Sequence, residues 1–107
     1  MKKTKNIFEL LYMIKKHPGA FLGSPSIISM NFFLLGICYA SELFEANYMI
    51  NEFNNFQKWL KVKYNDTSHW CSFLHKKYGD SEKAFDIFFI ELSNFLKGNG
   101  IEEPHIE

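Results

Sequence analysis

The stretch Ile27-Ile28-Ser29-Met30-Asn31-Phe32-Phe33-Leu34-Leu35-Gly36-Ile37-Cys38-Tyr39-Ala40 runs for fourteen residues without a charge. It falls short of the roughly 20 apolar residues that a membrane-spanning helix needs, and Ser29, Asn31 and Gly36 interrupt it. No period-2 alternation marks it as a strand. An apolar helix with no polar face belongs among other helices, so the stretch predicts a buried central helix, second in chain order, with its neighbours around it.

Working outward, the flanking segments carry the periodicities that such neighbours need. Towards the N-terminus, Ile7, Leu10, Leu11 and Ile14 share one face of a helix over about 5–16, with Glu9 and Lys16 opposite. His17-Pro18-Gly19 stops that helix, and 20–23 reads as a short apolar loop whose Phe21 and Leu22 plug the core. Ser24-Pro25 then supplies an N-cap and a first-turn proline for the central helix, expected over 25–46. After a hinge at 47–52, Phe53, Phe56, Leu60 and Tyr64 line a third helix, with Trp59 as a lid at its edge. Asn65-Asp66-Thr67 turns the chain into a short fourth helix over 68–78 that buries Trp70, Phe73 and Leu74. Gly79 ends it, and Asp80 is expected to cap a fifth helix carrying Ala84, Phe85, Phe88, Phe89, Leu92, Phe95 and Leu96 inward as far as Gly98. Residues 98–107 read as a loose acidic tail. The expected fold is one all-α domain, residues 1–107, of about five helices.

Composition narrows what such a domain does. The 107 residues hold 12 basic and 12 acidic side chains, for a net charge of zero. Every basic residue is Lys, so the chain has no guanidinium fork for clamping phosphate or reading guanine edges. A neutral chain also lacks the overall field that draws a protein to nucleic acid. Hydrophobic residues make up 47% and aromatics 18%, with 12 Phe, which excludes a disordered chain. Two cysteines, Cys38 and Cys71, sit among apolar neighbours and read as reduced core thiols of a cytoplasmic protein; no secretory signal is recognisable.

Catalytic and metal chemistry find little purchase. Cys71 and His75 share a helix face four residues apart, but His69 points elsewhere and His17 and His105 are remote, so no metal set is completed. No glycine-rich elbow surrounds a serine, and neither cysteine lies in an electropositive setting at a helix start. Glu42 and Glu45 form a carboxylate pair three residues apart and read as solvated. The chain is therefore expected to be no enzyme and to need no cofactor, metal or small-molecule substrate.

Charge is nonetheless sorted along the chain. Residues 1–16 carry a net +4, 17–52 a net −3, 53–78 a net +4 and 79–107 a net −5. The acidic C-terminal segment suits a basic protein partner. With the aromatic face of the fifth helix turned inward, Ile87 and Ile90 fall on its far side, either covered by another element or standing as apolar anchors within an acidic rim. Asp86, Ile87, Ile90, Glu91, Glu102 and Glu103 are thus the candidate partner-binding residues. The competing reading is a nucleic-acid-binding or regulatory module using Lys58, Lys61, Lys63, Lys76 and Lys77.

Several motifs carry a resemblance: Lys15-x-x-Pro18-Gly19-x-Phe21-Leu22-Gly23, then Phe33 to Ala40, Phe53-x-x-Phe56-x-x-Trp59-Leu60, Trp70, and Glu82-Lys83-Ala84-Phe85 to Phe88-Phe89-x-x-Leu92. Across about residues 7–96 the chain resembles small all-helical bacterial immunity proteins of contact-dependent growth inhibition and other polymorphic toxin systems. His17 and Ala20 stand where that pattern has Arg and Met, and no binding residue is carried over. The resemblance implies a cytoplasmic antitoxin. Its partner would be the toxic C-terminal domain of a delivered effector, a nuclease such as a ribonuclease, neutralised by covering its active site without binding nucleic acid or spanning a membrane.

Overall fold

The computed structural model describes residues 6–46 and 48–106. They form six helices, α1 (Ile7–Lys16), α2 (Pro18–Leu22), α3 (Ile27–Leu43), α4 (Ile50–Lys63), α5 (Trp70–Tyr78) and α6 (Glu82–Gly98), and no strand. Side-chain caps set four of the helix starts by satisfying first-turn amides that the helix itself leaves unpaired. Asn6 accepts from the Glu9 amide at 3.0 Å, Ser26 from Ser29 at 3.1 Å, His69 Nδ1 from Cys71 at 3.2 Å and Ser81 from Ala84 at 3.2 Å.

The core is a junction of aromatic rings where α4, α5 and α6 meet. Phe56 of α4 lies 5.5 Å from Phe88 and 5.4 Å from Phe95 of α6, centroid to centroid, and Trp70 of α5 lies 4.7 Å from Phe88. Trp59 closes the edge of this cluster, 6.2 Å from Phe56 and 5.7 Å from Phe95. Such tilted and edge-on ring pairs add about 0.5–1.5 kcal/mol each to the burial of their area. Around them, Ile7, Phe8, Leu11 and Ile14 of α1 and Ile27, Met30 and Leu34 of α3 complete the buried set. The inward faces expected for α4 and α6 are those observed, whereas on α1 Phe8 is buried and Leu10 only half-buried.

Several expectations are corrected. The loop at 20–23 is mostly helix, because Pro18 opens α2, with Gly23 taking a positive φ of 81° at its end. The central helix begins at Ile27 after the Ser26 cap and stops at Leu43. It is also not apolar-covered all round. Ile27, Met30 and Leu34 are buried, but Ile28, Phe32, Leu35, Tyr39 and Leu43 on the opposite side are exposed. Finally, the C-terminal tail is irregular but held. Ile101 packs on the core, Lys16 Nζ donates to the Ile106 carbonyl at 3.3 Å, and Glu103 accepts from Tyr12 at 2.7 Å and Ser93 at 2.6 Å. Of the expected hinge, Asn47 lies outside the described residues, and α4 starts at Ile50, earlier than the aromatic spacing suggested.

Asp80 does not cap the helix that follows it. Ser81 does that, while the Asp80 carboxylate reaches to α3, accepting from the Ile27 amide at 2.9 Å and from the Ser26 hydroxyl at 2.9 and 3.1 Å. A carboxylate at a helix start is favoured by the unpaired amides and by the helix dipole. Asp80→Ala is expected to lower unfolding free energy by about 1–2 kcal/mol, and Asp80→Asn by less, as measured by urea denaturation.

Candidate functional site

α6 buries Ala84, Phe85, Phe88, Phe89, Leu92, Phe95 and Leu96, and that face fixes what the other can present. At four-residue spacing, Glu82, Asp86, Ile90 and Asn94 form an exposed strip along the helix, with Ile90 56% exposed. Glu102 is exposed on the tail. Among the described residues, Glu82, Asp86 and Glu102 form no ion pair. Lys97, at the end of the strip, has its charge met by Glu103 at 3.6 Å. A shallow groove beside the strip, about 560 Å³ in volume, is lined by Lys15, Asp86, Phe89, Ile90 and Ser93 among others.

The candidate residues therefore divide. Asp86, Ile90 and Glu102 face outward and are available to a partner. Ile87 is half-buried against the core, covered as the first of its two alternatives required. Glu91 is buried and bound to its own fold, 2.6 Å from Lys63 Nζ and 3.3 Å from the Asn94 amide nitrogen, with Tyr64 also hydrogen-bonded to it. Glu103 holds the tail through Tyr12, Ser93 and Lys97. The acidic segment is thus half structural, and α-helical spacing could not show it, because the groups that claim Glu91 come mainly from α4.

The lysine patch divides similarly. Lys63 is committed to Glu91 and lies 5.1 Å over the Trp59 ring, while Lys77 lies over the Tyr64 and Tyr78 rings. Cys71 is buried with its thiol 3.6 Å from the Ile27 carbonyl, and His75 is exposed. Among the described residues no group of three His, Cys, Asp or Glu side chains is placed to hold a metal ion. No helix there is long and apolar enough to cross a membrane.

The largest feature that the sequence reading missed is the outer face of α3. Ile28, Phe32, Leu35, Tyr39 and Leu43 follow one another at spacings of four, three, four and four residues, which keeps them on one stripe of the helix. Phe44 and Tyr48, also exposed, lie on another side, where with Leu10, Ile37 and Ala40 they line a groove of about 330 Å³. The spacing was present in the sequence, but Met30, Leu34 and Ile37 fill the intervening positions and hide it.

Burial raises the Glu91 carboxyl, but hydrogen bonds from Lys63, Tyr64 and Asn94 more than offset this and hold it below the usual glutamate value. Hydrogen bonds from Ser93 and Tyr12 hold Glu103 low as well. A carboxyl with a depressed folded-state pKa contributes stability above its unfolded pKa and loses it as pH falls through the folded one. Stability is therefore expected to decline as the pH drops below the ordinary glutamate pKa of roughly 4.3. In Glu91→Gln/Glu103→Gln the protein should be less stable at pH 7 and lose less on acidification, which urea midpoints between neutral and acid pH would show. No protein-family model matches the chain, and neither a search of curated proteins nor one of solved structures finds a significant match.

Proposed function

We propose that the protein is an immunity protein of the toxin-neutralising kind. It acts in the cytoplasm, without catalysis, by covering the active site of the toxic C-terminal domain of a contact-dependent growth inhibition effector. A nuclease such as a ribonuclease is the toxin that fits best, since a nuclease presents a positive cleft to phosphate and an inhibitor can fill that cleft with carboxylates. The observation that carries the reading is the exposed strip of α6, where Glu82 and Asp86 precede Ile90 and Asn94 follows it, the two carboxylates unmatched by any ion pair among the described residues. An apolar anchor within a charged rim is the usual anatomy of a protein interface. The resemblance to helical immunity proteins points the same way. Glu91 and Glu103 belong to the fold and are left out of the binding set.

Cells producing this chain should survive production of the toxic domain encoded beside it, and cells lacking the chain should not. The variant Glu82→Lys/Asp86→Lys/Glu102→Lys, built on exposed positions, should fold normally and bind that domain at least about tenfold more weakly, or roughly 1.4 kcal/mol, with a shallower salt dependence. Absence of protection by the wild-type chain overturns the function, and unchanged affinity of the variant overturns the surface.

A further inference from the structure

The cap of α5 differs in kind from the others. His69 Nδ1 accepts from the Cys71 amide at 3.2 Å, where the other side-chain caps are Asn6, Ser26 and Ser81. An amide or hydroxyl oxygen keeps its lone pairs at any pH near neutrality. An imidazole accepts through Nδ1 only while that nitrogen is bare, so the bond requires the neutral ring with its proton on Nε2. A second proton turns the acceptor into a donor. It also places a positive charge at the end of a helix that disfavours one.

The surroundings of the ring oppose that second proton. α5 packs against α3, α4 and α6, and the charge from these helices that acts on the ring is Lys61 of α4, a cation. On α3 the one charged residue, Glu42, lies at the far end from Ile27, and on α6 Glu91 is taken by Lys63. Asp66 in the preceding turn accepts from the Ser68 amide and hydroxyl, and Asp80 is held at the start of α3. His75, Lys76 and Lys77 occupy the last turn of α5, at its other end. Among the described residues no carboxylate pairs with His69. Burial first, and Lys61 second, push the imidazole below its usual value. The turn that this cap holds is central to the fold. The Trp70 ring lies 5.5 Å from the imidazole and 4.7 Å from Phe88, and the Cys71 thiol reaches the Ile27 carbonyl at 3.6 Å, tying α5 to α3.

We propose that His69 is a proton-operated cap: neutral, it holds the first turn of α5 and with it the place of Trp70 in the aromatic junction, and protonated, it lets that turn go. The fold thus loosens at one defined point as the pH falls through the range in which histidine titrates. Across that range the unfolded chain binds the proton more readily than the folded one. The stability that the cap contributes is therefore complete above the ordinary histidine pKa and is lost as the pH falls towards the lower, folded one. Glu91 and Glu103 titrate below the usual glutamate value, in more acid solution, so their effect is separable from that of the cap. None of this involves the acidic strip of α6, so the cap responds to pH whether or not a toxin binds there.

In NMR titrations of the whole chain, the His69 ring should titrate at lower pH than the exposed His17, His75 and His105, and the Cys71 amide resonance should move with the same midpoint as His69. Between about pH 7.5 and about pH 5.5, the folding constant from urea denaturation should fall about three- to tenfold more in wild type than in His69→Asn, whose side chain caps without titrating. His69→Ala, with no side-chain cap at any pH, should be less stable than wild type at about pH 7.5 and should lack the same dependence. A Cys71 amide that stays fixed while His69 titrates overturns the proposal, as does a His69 that titrates with or above the exposed rings. Equal pH dependence in wild type and His69→Asn overturns it too, even where ring and amide move together.

Discussion

Everything in the fold depends on how Phe56, Phe88, Phe95 and Trp70 meet, because that contact brings three helices from separate parts of the chain to one point. Phenylalanine rings carry no polar group, so they can be packed on every side without leaving a donor or acceptor unpaired. Among the described residues the interior accordingly holds only Ser26, Ser41 and Glu91 as buried polar residues, and each has a partner within the fold. A core of this composition spends its chemistry on cohesion. Whatever recognition the protein performs falls to its surface.

The acidic residues of the C-terminal segment illustrate how that surface is set. Asp80 caps a helix more than fifty positions earlier in the chain, Glu91 anchors α6 to Lys63 of α4, and Glu103 ties the tail to Tyr12 of α1 and Ser93 of α6. Each of these carboxylates closes a long-range contact that apolar packing alone would leave without direction. The other described acids of the segment, Glu82, Asp86 and Glu102, are outward and form no ion pair among the described residues, so their charge is open to a partner. Net charge counted over the segment cannot make this distinction, because it weighs a buried, compensated carboxylate and a solvated one equally.

What was legible in the sequence follows the same division between local and remote causes. The inward faces of α4 and α6 could be read from spacing alone, since Phe53, Phe56 and Leu60, and Ala84 through Leu96, repeat at helical period against polar positions. The start of α3 was misplaced by two residues because both Ser24 and Ser26 are acceptable caps, and the choice was made by Asp80, which local pattern cannot see. The start of α4 was missed for want of any side-chain cap, its first turn following Met49 in a left-handed conformation, φ 64°. The burial of Glu91 was hidden for a related reason: its main partner, Lys63, lies 28 positions away, on another helix.

The case of α3 is the most instructive, because the pattern was visible and its meaning was not. Hydrophobicity on every side of a helix states that every side needs cover, and says nothing about which molecule supplies it. Here the chain covers Ile27, Met30 and Leu34 with its own α5 and α2 neighbours and leaves Ile28, Phe32, Leu35 and Tyr39 bare. The strip on α6 is bare in a different way, charged and with a single large apolar side chain. α5 packs against both helices, and the two faces belong to different elements of the fold. Contact across the uncharged seam gains from removing area from water and is little affected by salt, whereas contact through Glu82, Asp86 and Glu102 is steered at long range and weakens as ions screen it. A surface of the first kind suits a partner that stays, and one of the second kind suits a partner that must be found quickly.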